Sequence, residues 1–124
     1  MNFNSILIGS EDPAKLAAYY SKLLGEPTWN DGGYIGWMLG AGAVTVGPHS
    51  EVTGTNPQPG RLIWNIESAD VQADFDRFTA AGATVVRQPY SFEGMEGLIA
   101  TLADPDGNYF QLMSPMEPEG ASKD

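Results

Sequence analysis

The chain has 124 residues, of which 42% are hydrophobic and 18% charged, values that suit one soluble domain large enough to bury a core. Its net charge of −10 argues against a nucleic-acid partner or an anionic membrane, because phosphate binding needs a basic footprint. The absence of cysteine excludes disulfides and thiolate chemistry, and no apolar run approaches the ~20 residues of a membrane span.

Met1 to Ser5 lacks the basic flank and apolar run of a signal peptide, so a cytoplasmic setting is expected. Phe3 to Gly9 reads as a mostly apolar strand. Asp12 is a good N-cap with Pro13 at the first helical position, and Leu16, Tyr20, Leu23 and Leu24 recur at helical spacing until Gly25 stops the helix. Strands are then expected at Thr28 to Asn30, Tyr34 to Leu39 and Ala43 to Gly47, with glycine-rich turns between them. Pro48 to Gly60 is polar and aperiodic, and reads as a connection. After it, Leu62 to Ile66 is a strand, and Ser68-Ala69-Asp70 caps a helix carrying Val71, Phe75 and Phe78 on one face. Gly82 ends that helix, Thr84 to Val86 starts the next strand, and Gln88 to Gly97 reads as a loop or lid.

Leu98 to Leu102 and Tyr109 to Met113 flank Asp104-Pro105-Asp106-Gly107-Asn108. Pro105 pre-sets φ, and Gly107 can take the left-handed conformation, so this is a hairpin with a type I turn and a glycine bulge. Along its second strand Phe110 and Leu112 face one way, and Tyr109, Gln111 and Met113 the other. Residues 116–124 read as a flexible tail.

Both halves therefore run strand, capped helix, glycine stop, three strands. Two tandem βαβββ modules follow: an α+β chain with module one at 3–47, a connection at 48–60 and module two at 61–113, in a single domain spanning 1–115. Each module has one helix for one sheet face, so the other faces must meet each other or enclose something.

This order of elements, with Asp104-Pro105-Asp106-Gly107-Asn108-Tyr109-Phe110-Gln111-Leu112, resembles the vicinal oxygen chelate superfamily, the group of glyoxalase I, bleomycin resistance proteins and extradiol dioxygenases. Tyr19 to Gly25 and Val71 to Val86 look like its two helix regions. The resemblance implies curved mixed sheets around a shared groove, helices outside, and a homodimer. In metal-using members ligands stand on the first and last strands of each module. Carried over, those positions offer Ser5, Thr45 or Val46, Arg61 (Leu62 if the register slips by one) and Gln111. None is an imidazole or a carboxylate, so no metal and no cofactor are expected.

On the groove side, alternation places Leu7 with Ser5, Ile63 and Asn65 with Arg61, and Tyr109 and Met113 with Gln111. Trp37 is counted with them, whereas Trp64 has core parity. His49, the only histidine, and Glu51 are further candidates, His49 as a general base. A mostly apolar pocket with Ser5, Asn65 and Gln111 fixing orientation and Arg61 available for an anion suits a small organic ligand, and the acid excess suits a cationic one. The expected function is metal-free small-molecule binding of the bleomycin resistance type. The alternative is a glyoxalase-like lyase or isomerase with atypical metal ligands or none.

Overall fold

A computed structural model describes residues 1–91, 94 and 96–115; the tail expected at 116–124 lies outside the described residues. Two four-stranded mixed sheets, each with one helix, repeat the βαβββ order, and the fold is α+β. The chain divides into two compact units. One comprises residues 1–61 with Asp104–Asn108, the other residues 62–103 and those from Tyr109 onward.

In the first unit β1 (Ser5–Ser10) is followed by α1 (Pro13–Leu24), β2 (Trp29–Asp31), β3 (Tyr34–Leu39) and β4 (Gly42–Pro48). Asp12 caps α1 as its sequence requires, its Oδ1 accepting from the Lys15 N–H at 3.2 Å. The sheet runs β1-β4-β3-β2, with β1 and β4 parallel. Leu16, Tyr20 and Leu23 bury their side chains beneath α1, with Val44 and Val46 buried in the sheet.

The second unit repeats the plan with β5 (Trp64–Glu67), α2 (Val71–Ala80), β6 (Thr84–Tyr90), β7 (Ile99–Ala103) and β8 (Tyr109–Met113), in the order β5-β8-β7-β6. Asp70 caps α2 by accepting from the Ala73 N–H at 3.0 Å. Phe75 and Phe78 are buried, each worth roughly 1.5–3 kcal/mol. Phe110 and Leu112 are buried with them, while Tyr109, Gln111 and Met113 are half-buried, as the alternation requires. Trp64 pairs with Phe110 in register and stacks on its ring at 5.7 Å, on the core side as its parity requires.

The turn at Asp104–Asn108 has the expected form. Gly107 has φ of 82°, its N–H donates to the Asp104 carbonyl at 2.9 Å, and the Asp104 N–H donates to the Asn108 carbonyl. Two elements differ from expectation: β5 starts at Trp64 rather than Leu62, and β6 continues to Tyr90, through residues read as the start of a loop. The extra length of β6 is taken up in irregularities of pairing, which no periodicity announces.

Candidate functional site

The face of the second sheet away from α2 is set by β8. Phe110 and Leu112 turn into the core, which leaves Tyr109, Gln111 and Met113 on the other side. Parallel pairing places Asn65 of β5 directly beside Gln111, and antiparallel pairing places Thr101 of β7 on its other flank. The Gln111 Nε2 donates to Thr101 Oγ1 at 3.0 Å. That bond fixes the amide, while its carbonyl oxygen and the side-chain amide of Asn65 have no hydrogen-bond partner among the described residues.

Arg87 of β6 lies opposite Thr101 and completes a row across all four strands, Asn65–Gln111–Thr101–Arg87. The next row is Glu67–Met113–Ile99–Tyr90. Arg87 and Tyr90 are three positions apart and would face opposite ways in a regular strand. Register shifts between Val85 and Arg87, and again between Arg87 and Tyr90, bring both onto this face. The Arg87 guanidinium carbon then lies 3.6 Å from the Tyr90 ring centroid. Strict alternation cannot find Arg87 and Tyr90 because it fails at a bulge, and Thr101 is found only through the register that pairs β7 with β8. Pro89 was the available signal, since proline inside a strand is confined to edges and bulges.

The other expected site residues divide between the two units. Ile63 is half-buried just ahead of β5, two residues before Asn65. Arg61 is not on a strand at all: it ends a 3₁₀ turn, Pro59–Arg61, in the first unit, and its Nε and Nη2 donate to Gln58 Oε1 at 3.2 and 2.7 Å. The Pro-Gly pair ahead of it forms the turn and delays the strand to Trp64. Ser5 and Leu7 are exposed on the face of the first sheet away from α1. Trp37 is on the opposite face. It is 2% exposed, its Nε1 donates to the Gly25 carbonyl at 2.9 Å, and its ring meets that of Tyr20 edge-on at 6.3 Å. The expectation that it lines a pocket is corrected: its register with Val44 sends it into the core.

His49 is exposed in the first unit, its Nδ1 accepting from the Glu51 N–H at 3.1 Å. Glu51 lines a cavity of about 300 Å³ in that unit, with Gly9, Asp106 and Asn108 among its walls.

The metal that the fold family implies does not fit these residues. The strand positions concerned are filled by Ser5 and Ala43, or Leu7 and Thr45, on the paired strands β1 and β4, and by Asn65 and Gln111 on β5 and β8. None is an imidazole or carboxylate, and among the described residues no three His, Cys, Asp or Glu side chains are grouped to hold an ion.

Solved structures of other proteins share this fold, three among them as follows. A glyoxalase/bleomycin resistance protein/dioxygenase family enzyme from Burkholderia phytofirmans PsJN superposes with a TM-score of 0.73 at 20% identity, over 94% of this chain and 100% of that one. TioX from Micromonospora sp. ML1 gives 0.74 at 17% identity, over 94% and 100%. A glyoxalase-related enzyme from Fulvimarina pelagi gives 0.71 at 20%, over 93% and 88%. No curated protein sequence matches the chain. A family model described as a glyoxalase-like domain matches residues 5–113, from the first residue of β1 to the last of β8. The chain therefore belongs to the glyoxalase-like domain family, within the vicinal oxygen chelate superfamily.

Proposed function

We propose that this protein is a metal-free small-molecule-binding protein of the glyoxalase/bleomycin resistance type, cytoplasmic, holding a small organic ligand on the face of its second sheet away from α2. The observation that carries this reading is the row formed by Asn65, Gln111 and Thr101, in which a neutral amide is fixed by the 3.0 Å bond and keeps its acceptor available. Neutral donors and acceptors flanked by Tyr109 and Met113 orient an organic molecule well, whereas they hold a divalent cation poorly. The same reading includes a homodimer. Leu7 and Met38 are 53% and 48% exposed on one face of the first sheet, on β1 and β3 with β4 between them, and large apolar side chains exposed on one face favour association.

Intrinsic tryptophan fluorescence, titrated with a panel of small carboxylates and cationic antibiotics, tests the binding reading. The expected result is a saturable change with at least one compound that Gln111→Leu weakens. A change that Gln111→Leu leaves intact would place any binding elsewhere and overturn the reading.

A further inference from the structure

Arg87 is the one basic residue in the four strands of the second sheet. It is exposed, and among the described residues its guanidinium has no carboxylate partner. Two irregularities of β6 are needed to bring it onto the same face as Tyr90 and the Gln111 row. Bulges are found where a strand must re-aim a side chain, often beside a site. Stacking on Tyr90 covers one face of the guanidinium and holds its plane, so that the N–H edges remain available as a fork.

From this geometry we infer that the face recognises an organic carboxylate with an aromatic or otherwise flat apolar body, and that Arg87 anchors its carboxylate. The inference rests on the binding reading above and names the ligand class for that site. A carboxylate matches the guanidinium fork with two parallel hydrogen bonds. Gln111 stands two strand spacings from Arg87, roughly 9.5 Å, so a bicyclic acid held by Arg87 reaches the amide with its far end. Met113 and Tyr90 supply apolar surface in the adjoining row. A single cation on a chain of net charge −10 suits one negative charge rather than two, which favours carboxylate over phosphate. Glu67, the only acid in these strands, is at the opposite edge, three strand spacings or roughly 14 Å from β6, and is largely screened there.

Isothermal titration with four naphthalene probes tests this: 2-naphthoate, neutral 2-naphthamide, 2-naphthylmethylamine and 2-naphthyl phosphate. Wild type should bind the carboxylate at least about tenfold more tightly than the amide, and Arg87→Ala should abolish that preference, weakening the carboxylate at least about tenfold more than the amide. Arg87→Lys should restore only part of it, because an ammonium lacks the fork. Unchanged naphthoate binding in Arg87→Ala, or tighter wild-type binding of the amine or the phosphate, would overturn the assignment. If acid and amide bind alike and Gln111→Leu weakens both, the carboxylate class fails while the binding reading survives. If no probe binds, or Gln111→Leu affects none, both fail.

Discussion

The Tyr20 hydroxyl donates to Asp104 Oδ2 at 2.7 Å, joining residues 84 positions apart inside the first unit. Asp104 also accepts from the N–H groups of Asp106 and Asn108 at 2.9 and 3.0 Å, so one carboxylate both closes its own turn and ties it to α1. Ser10 and Asn56 repeat the idea, donating to Asp106 at 2.6 Å and to Asn108 at 3.0 Å. The turn motif therefore works as an anchor as well as a chain reversal. Tyr20→Phe should cost roughly 1.5–3 kcal/mol, the range for a buried hydrogen bond to a charged group. Urea unfolding measures it, and an unchanged midpoint would contradict this role.

Asp104 also predicts a pH effect. Burial raises its pKa above the ordinary carboxylate value, outweighing the hydrogen bonds from Tyr20, Asn108 and the turn backbone that act to lower it. Burial, and secondarily the Asp104 charge, also push Tyr19 upward. A carboxylate whose folded-state pKa is raised takes up its proton in the folded protein first. Its contribution to stability is therefore fully present below the unfolded value, 3.8, and is lost as pH rises through the folded value. Asp104→Asn has no such proton to take up. Wild type should accordingly gain stability relative to the variant as pH falls from neutrality toward that range. Parallel shifts of the two urea midpoints would contradict the assignment.

On the first sheet, the Trp29 indole covers Gly36, its partner across β2 and β3, so closely that a Cβ there would collide with it. Gly36→Ala should destabilise by about 1–3 kcal/mol through forced displacement of the ring. In a Trp29→Ala background the same change should cost much less. A double-mutant cycle measures the coupling, and additive costs would show that the ring is not what excludes the side chain.

Much of this architecture is legible in the sequence because local chemistry and fold agree. Asp12 and Asp70 cap helices where they stand in the sequence, and the Asp104–Asn108 turn needs its proline and glycine where they are. Alternation along Tyr109–Met113 separates buried Phe110 and Leu112 from half-buried Tyr109, Gln111 and Met113 as expected, because that strand pairs on both sides without interruption. Parity along β5 holds for Trp64 and Asn65, but the expected strand start does not: a 3₁₀ turn takes up Arg61 and the strand begins at Trp64, so Arg61 is on no strand. Trp37 was misplaced for want of the β3–β4 register, which sets its face. Arg87 was missed because β6 spends seven residues against the five of β7, and a period of two cannot describe that.

The proposed homodimer predicts a scattering mass near twice the 13.3 kDa of one chain. Leu7→Glu should shift the protein toward the monomer by placing a charge on the exposed apolar face. Size-exclusion chromatography with light scattering reads both, and a monomeric wild type would contradict the proposal.

Converting Gln111 to Glu supplies one carboxylate at the centre of the second sheet. Asn65 beside it and Thr101 on the other flank remain weak donors, so the variant stays short of the about three ligands a divalent site requires. Gln111→Glu protein dialysed against Zn should therefore stay metal-poor, as read by elemental analysis. Stoichiometric uptake would mean that donors absent from this row complete a site.

Elemental analysis of untagged wild-type protein, after equilibration with Ni, Zn, Fe and Mn salts and removal of free ions, shows whether the Asn65–Gln111–Thr101 face is metal-free. A face without imidazole or carboxylate donors leaves each metal far below one per chain. Near-stoichiometric retention of any of them, lost in Gln111→Leu, would contradict the metal-free site.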